Sequence, residues 1–131
     1  MGVAENRTVV VDAYKKFGEG DLASIVAMNS PAAVWAIYSS TYSPMTGEHT
    51  GLDGINDLFE MIGEQLEVIS FEMAPIAAEG DVVVAAGRQD YTVKTTGKKV
   101  QGPLVHVFTF GPDGKIVRFE EFETGAEGAF S

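Results

Sequence analysis

The chain has 131 residues, 9 basic and 19 acidic side chains, a net charge of −10, and no cysteine. That length suits one domain, and a 45% apolar fraction supplies a core and argues against disorder. The acidic balance disfavours nucleic acid and anionic lipid as partners, and the missing cysteines exclude disulfides, thiolate chemistry and cysteine-ligated zinc.

No apolar run approaches the length of a membrane span. Met1–Arg7 has no basic segment leading into an apolar one, so no signal peptide is expected and the cytoplasm is the default location. Residues 1–5 are expected to fray. Glu5 to Phe17 fits a helix, with Val9, Val10, Ala13, Tyr14 and Phe17 on one broad face. Asp21 reads as the N-cap of a short helix from Leu22 to Met28, ended by Ser30-Pro31. Ala33 to Tyr38 is a strand, with Trp35 and Tyr38 on opposite faces. Ser39 to Gly51 reads as a polar loop, and its His49 as a solvated side chain. Asp53 is expected to cap a helix from Gly54 to Leu66, whose Ile55, Leu58, Phe59, Ile62 and Leu66 repeat with the helical period.

Strand signals dominate the rest. Glu67 to Ala74 is a strand and Pro75 to Asp81 a connection. Val82–Val93, Leu104–Phe110 and Ile116–Phe122 then form a meander. Helices in the first half and strands in the second make an α+β domain, with helices on one side of a curved sheet.

A four-residue turn at Gly111–Gly114 would set Phe110 opposite Lys115, His106 opposite Phe119, and Leu104 opposite Glu121. One face then carries Leu104, His106, Phe108, Phe110, Val117, Phe119, Glu121 and Glu123. The other carries Val105, Val107, Thr109, Ile116, Arg118, Glu120 and Phe122. A bulge would swap the sets on one strand. Aromatic walls with a few polar groups describe a small-molecule pocket. His106 with Glu121 beside it is a candidate acid–base pair. The competing reading is a buried histidine satisfied by one hydrogen bond. Arg88 and Asp90 share a strand face and pair either across a cavity mouth or in solvent. Trp35, Tyr38 and Phe59 are further candidates for the pocket wall.

No phosphate loop, calcium loop or zinc spacing is present, and Ser39, Ser40 and Ser43 lack the setting of a nucleophile elbow. No cofactor and no metal is expected, which leaves acid–base chemistry or plain binding.

Four stretches carry a family resemblance: Gly18-Glu19-Gly20-Asp21-Leu22, Gly51-Leu52-Asp53-Gly54-Ile55, Thr96-Gly97-Lys98, and Asp113 to Phe119. In that order they resemble the SnoaL-like branch of the NTF2-like superfamily, which holds polyketide cyclases and relatives of ketosteroid isomerase. The resemblance implies a conical α+β half-barrel, an apolar cavity open at one end, and homodimers through the outer sheet face. The isomerase pattern is not kept. Its base position falls on Ala36, its tyrosine on Ala13 (one residue from Tyr14), and its second acid on His106. The resemblance also puts His106, Phe119, Glu121 and Glu123 on the cavity side. The expected function is a cofactor-free acid–base enzyme for an apolar carbonyl- or ring-containing metabolite, with His106 and Glu121 catalytic. Trp35, Tyr38, Phe59, Arg88, Phe108, Phe119 and Glu123 would contact the substrate, with Tyr38 or Arg88 polarising an oxygen. A non-catalytic binder of an apolar ligand and a structural or interaction module are the alternatives. Exposed Val105, Val107, Ile116 and Phe122 would form the dimer surface.

Overall fold

The computed structural model describes residues 2–39 and 42–131. Three helices, α1 (Val3–Gly18), α2 (Leu22–Val26) and α3 (Gly51–Gln65), accompany six strands. These are β1 (Asn29–Ser39), β2 (Gly47–Thr50), β3 (Leu66–Glu79), β4 (Val82–Val93), β5 (Lys99–Phe110) and β6 (Ile116–Glu123). They form one sheet in the order β2-β1-β6-β5-β4-β3. Only the β1–β6 pair is parallel among the described strands. The expected α+β architecture is what forms.

The helices lie on the inner face of the sheet. Val10 and Ala13 of α1 are buried, as are Ile55, Leu58 and Phe59 of α3. They join Trp35, Phe108, Phe119 and Val83 from the strands in one core. Asp21 caps α2 by accepting from the Ser24 amide at 3.2 Å. Curvature comes from β3, the edge strand, where the register slips between Val68 and Ser70 and again between Pro75 and Ala77. Gly87 of β4 lies where a Cβ would sit 1.7 Å from the Glu72 carbonyl oxygen, so only glycine lets β3 fold in this closely.

Several boundaries differ from the sequence reading. The first helix begins at Val3, so residues 3–5 are helical. The polar segment before α3 contains β2, where His49 pairs with Trp35 and its Nε2 lies 2.8 Å from the Met45 carbonyl oxygen. His49 is therefore half-buried and bonded, not a solvated loop residue. Asp53 does not cap α3; Thr50 stands at that position, and Gly51 starts the helix with φ +75°. The 75–79 stretch continues β3, with Pro75 next to a register slip at the sheet edge, where a missing N–H is tolerated. Ser40 lies outside the described residues.

The β5–β6 hairpin corrects the residue count. Gly111 N–H bonds the Lys115 carbonyl at 2.8 Å, and Phe110 stands opposite Ile116. The register then slips, so Thr109 faces Arg118 and His106 faces Glu121 directly. Val117 is the extra residue and turns outward at 37% exposure, while Ile116 is fully buried. The two were expected on the reverse faces. The longer turn and the bulge together move the pairing by two residues from the count, which preserves parity, so Phe119, Glu121 and Glu123 keep their inward side.

Candidate functional site

A cavity of about 110 Å³ lies between the inner sheet face, the second half of α1, and α3. Its walls are mostly aromatic. Trp35 and Phe119 ring centres are 4.2 Å apart, Phe108 and Phe119 5.0 Å, and Trp35 and Phe59 5.4 Å. Trp35 is held by donating Nε1–H to Asn29 Oδ1 at 2.7 Å. These aromatic residues supply the wall that their strand or helix periodicity predicts.

Polar side chains that reach the same cavity include Tyr14, Ser43, Gln89, Tyr91, His106, Glu121 and Glu123. His106 is 3% exposed. Its Nε2 lies 2.8 Å from Glu121 Oε1, and its Nδ1 2.7 Å from the Tyr14 hydroxyl. Burial, and then the charge of Glu121, push the Tyr14 hydroxyl far above its ordinary range, so it stays protonated and donates. The consistent tautomer has Tyr14 O–H donating to Nδ1 and His106 Nε2–H donating to Glu121. Both ring nitrogens are thereby engaged, one more than the competing reading of a histidine with a single bond requires.

A second pair of bonds extends the cluster. Gln89 Nε2 donates to Glu123 Oε2 at 3.0 Å, and the Tyr91 hydroxyl to Oε1 at 3.4 Å. Glu121 stands beside Glu123 on the cavity side of β6. Burial first, then the charge of Glu121, push the Glu123 carboxyl up to about 7. Burial and the neighbouring Glu123 also raise the Tyr91 hydroxyl. A neutral carboxyl on buried Glu123 relieves its repulsion with Glu121.

This has a consequence for stability. The folded chain binds a proton at Glu123 that the unfolded chain releases at lower pH, so stability falls as pH rises from the ordinary carboxylate range through about 7. Thermal melts across that range should show a falling midpoint in the wild type and a flatter line for Glu123→Gln. Parallel lines would contradict a protonated Glu123.

Two expected pocket residues lie elsewhere. Arg88 is exposed on the outer face of β4, because the buried positions of that strand are Val83, Ala85, Gln89, Tyr91 and Val93. Tyr38 is 39% exposed on the outer face of β1, where its hydroxyl accepts from Arg118 at 3.1 Å. Neither can polarise an oxygen inside the cavity. Asp90 likewise faces outward, toward Lys99 and Gln101. Tyr14, Gln89 and Tyr91 were missed. Counting in twos back from Val93 gives Gln89 and Tyr91, whereas the Val82–Ala86 run is apolar on both faces and carries no parity. Tyr14 lies on the helix face already read as apolar, so its hydroxyl gave no separate signal.

No group of three or more His, Asp or Glu side chains suited to a metal occurs among the described residues. No described helix is long and apolar enough to cross a membrane.

A curved sheet closed by helices around an apolar cavity with a buried polar cluster defines an NTF2-like domain. Residues 10–119 match the model of the SnoaL-like domain, and the chain belongs to that family, which includes polyketide cyclase-like proteins. Among solved structures, an NTF2-like protein from Burkholderia thailandensis is 29% identical, with 93% of this chain and 91% of that one covered and a TM-score of 0.80. Another, from Burkholderia xenovorans, is 25% identical over 92% and 90%, also with a TM-score of 0.80. A third, from Burkholderia pseudomallei, is 24% identical over 97% and 95% with a TM-score of 0.77, and shows the shared fold. A search of curated proteins returned no match.

Proposed function

We propose that this chain is a cofactor-free acid–base enzyme for a small apolar metabolite carrying a carbonyl or a ring, with Glu121 and His106 handling the proton. The observation behind this reading is the Tyr14–His106–Glu121 chain of short hydrogen bonds on the wall of an apolar cavity. Since both nitrogens of His106 are engaged, the Glu121 carboxylate is the group that meets the substrate. The imidazole N–H holds that carboxylate in place, and Tyr14 fixes the ring. Abstraction breaks a substrate C–H bond, forms O–H on Glu121, and leaves the electron pair on the substrate. The apolar wall keeps water from competing for the base.

Nitrobenzisoxazole, a ring compound opened by a base alone, provides a test without knowledge of the natural substrate. The wild type should open it, and Glu121→Gln should lower the rate by roughly 10²–10⁴-fold. Equal rates in both proteins would refute the catalytic reading. The same fold would then serve as a non-catalytic binder, for which ring affinity survives Glu121→Gln but falls when Phe108 or Phe119 is cut to Ala.

The outer sheet face supports homodimer formation. Phe122 is 44% exposed, Tyr38 39% and Val105 36%, and the Tyr38 and Phe122 rings lie 5.1 Å apart. Buried Ile116 drops out of the expected set. This patch lines a shallow groove of about 420 Å³ that a second copy would cover. Sedimentation at micromolar concentration should give twice the chain mass; a monomer would reject the dimer. A cytoplasmic location belongs to the same proposal.

A further inference from the structure

The donors and acceptors at the polar end of the cavity do not balance. Tyr14 O–H is spent on His106, and the His106 N–H on Glu121. Tyr91 O–H and one Gln89 N–H are spent on Glu123. The second Gln89 N–H is not used in this way. Acceptors remain in excess. The Gln89 side chain bonds Glu123 through Nε2 and lines the cavity, so its Oε1 is a further acceptor there. The two carboxyls hold lone pairs beyond those that Gln89, Tyr91 and His106 use. No lysine or arginine reaches the cavity wall. Trp35, Phe108 and Phe119 line the same cavity and offer an apolar seat for a ring.

We propose that the ligand of this cavity is a small apolar ring compound carrying a primary amine, bound as its ammonium with the N–H groups directed at Glu121, Glu123 and Gln89. This rests on the cavity being a ligand site, as read above, but not on that site being catalytic. An ammonium brings three donors and one positive charge to a site that has more acceptors than donors and no cation. It takes the place of the proton that Glu123 holds, so amine binding releases that proton to solvent. The other titratable groups facing the pair are His106 from β5, Tyr91 from β4 and Tyr14 from α1; β1 and α3 present only apolar side chains to the cavity. A carboxylate or phosphate ligand would meet two acids with no cation to offset them.

Calorimetry with benzylamine, benzyl alcohol and benzoate tests this on one ring size. In buffers of different ionisation enthalpy, at a pH about one unit below 7, benzylamine should bind at least about tenfold tighter than the alcohol and release close to one proton. Benzoate should not bind. Glu123→Gln should abolish the proton release and narrow the amine–alcohol gap. Benzylamine binding no tighter than the alcohol, or benzoate binding as well as the amine, overturns the proposal. If none of the three binds, it falls together with the cavity as a ligand site. Nitrobenzisoxazole turnover separates the remaining cases. Turnover without amine preference leaves the enzyme reading and removes this one; amine binding without turnover does the reverse.

Discussion

Cutting Glu121 back to Ala should cost about 1–3 kcal/mol of stability. His106 is 3% exposed, and its Nε2–H has Glu121 Oε1 as acceptor at 2.8 Å. Without that oxygen the N–H is buried and unpaired, and Tyr14 occupies the other nitrogen. The loss is larger than the contact itself is worth, because the desolvated donor has nowhere to turn. Glu121→Gln retains an acceptor for the N–H, so it should keep nearly all of the stability while losing the base. Denaturant melts of both variants check the pair. An Ala variant as stable as the wild type would mean that the His106–Glu121 bond contributes nothing to the fold. A Gln variant as damaged as Ala would mean that geometry rather than the acceptor governs the loss.

Trp35→Ala should be the most destabilising single change in the wall, by about 3–5 kcal/mol. Trp35 is 6% exposed, stacks on Phe119 at 4.2 Å, meets Phe59 edge-on at 5.4 Å, and bonds Asn29 through its indole N–H. Truncation removes three partners at once. It also leaves buried Asn29 Oδ1 without its donor and merges the vacated volume with the existing cavity. The midpoint of urea unfolding should fall at an unchanged slope. Trp35→Phe keeps most of the packing and should lose markedly less. A mild effect of Trp35→Ala would place the centre of the core elsewhere.

The sequence carried much of this architecture in particular residues. The 3.6-residue period of Ile55, Leu58 and Phe59 marked the buried face of α3, and all three are in the core. The alternation of Leu104, His106, Phe108 and Phe110 marked the inner face of β5. The meeting of His106 with Glu121 was legible as a shared face but not as a direct pair. The bulge at Val117 shifts the register, and a bulge has no strong signature in a turn containing Gly and Pro. Arg88 and Tyr38 were misplaced for different reasons. Arg88 sits beside a run apolar on both faces, so the parity of β4 had to come from Tyr91 and Val93 at its far end. Tyr38 was correctly set on the face opposite Trp35 but was also counted with the wall, and only one of the two faces borders the cavity. The closing of the cluster through Tyr14, Gln89 and Tyr91 depends on how α1 crosses β4 and β5, which no local pattern encodes.

The most direct test of the account is a crystal structure of the protein soaked with a single-ring compound such as benzyl alcohol. The account predicts density for the ring between Trp35, Phe108 and Phe119, with its polar group toward Glu121 and His106. A cavity without the compound, which is found only in the outer groove beside Tyr38 and Phe122, would contradict it.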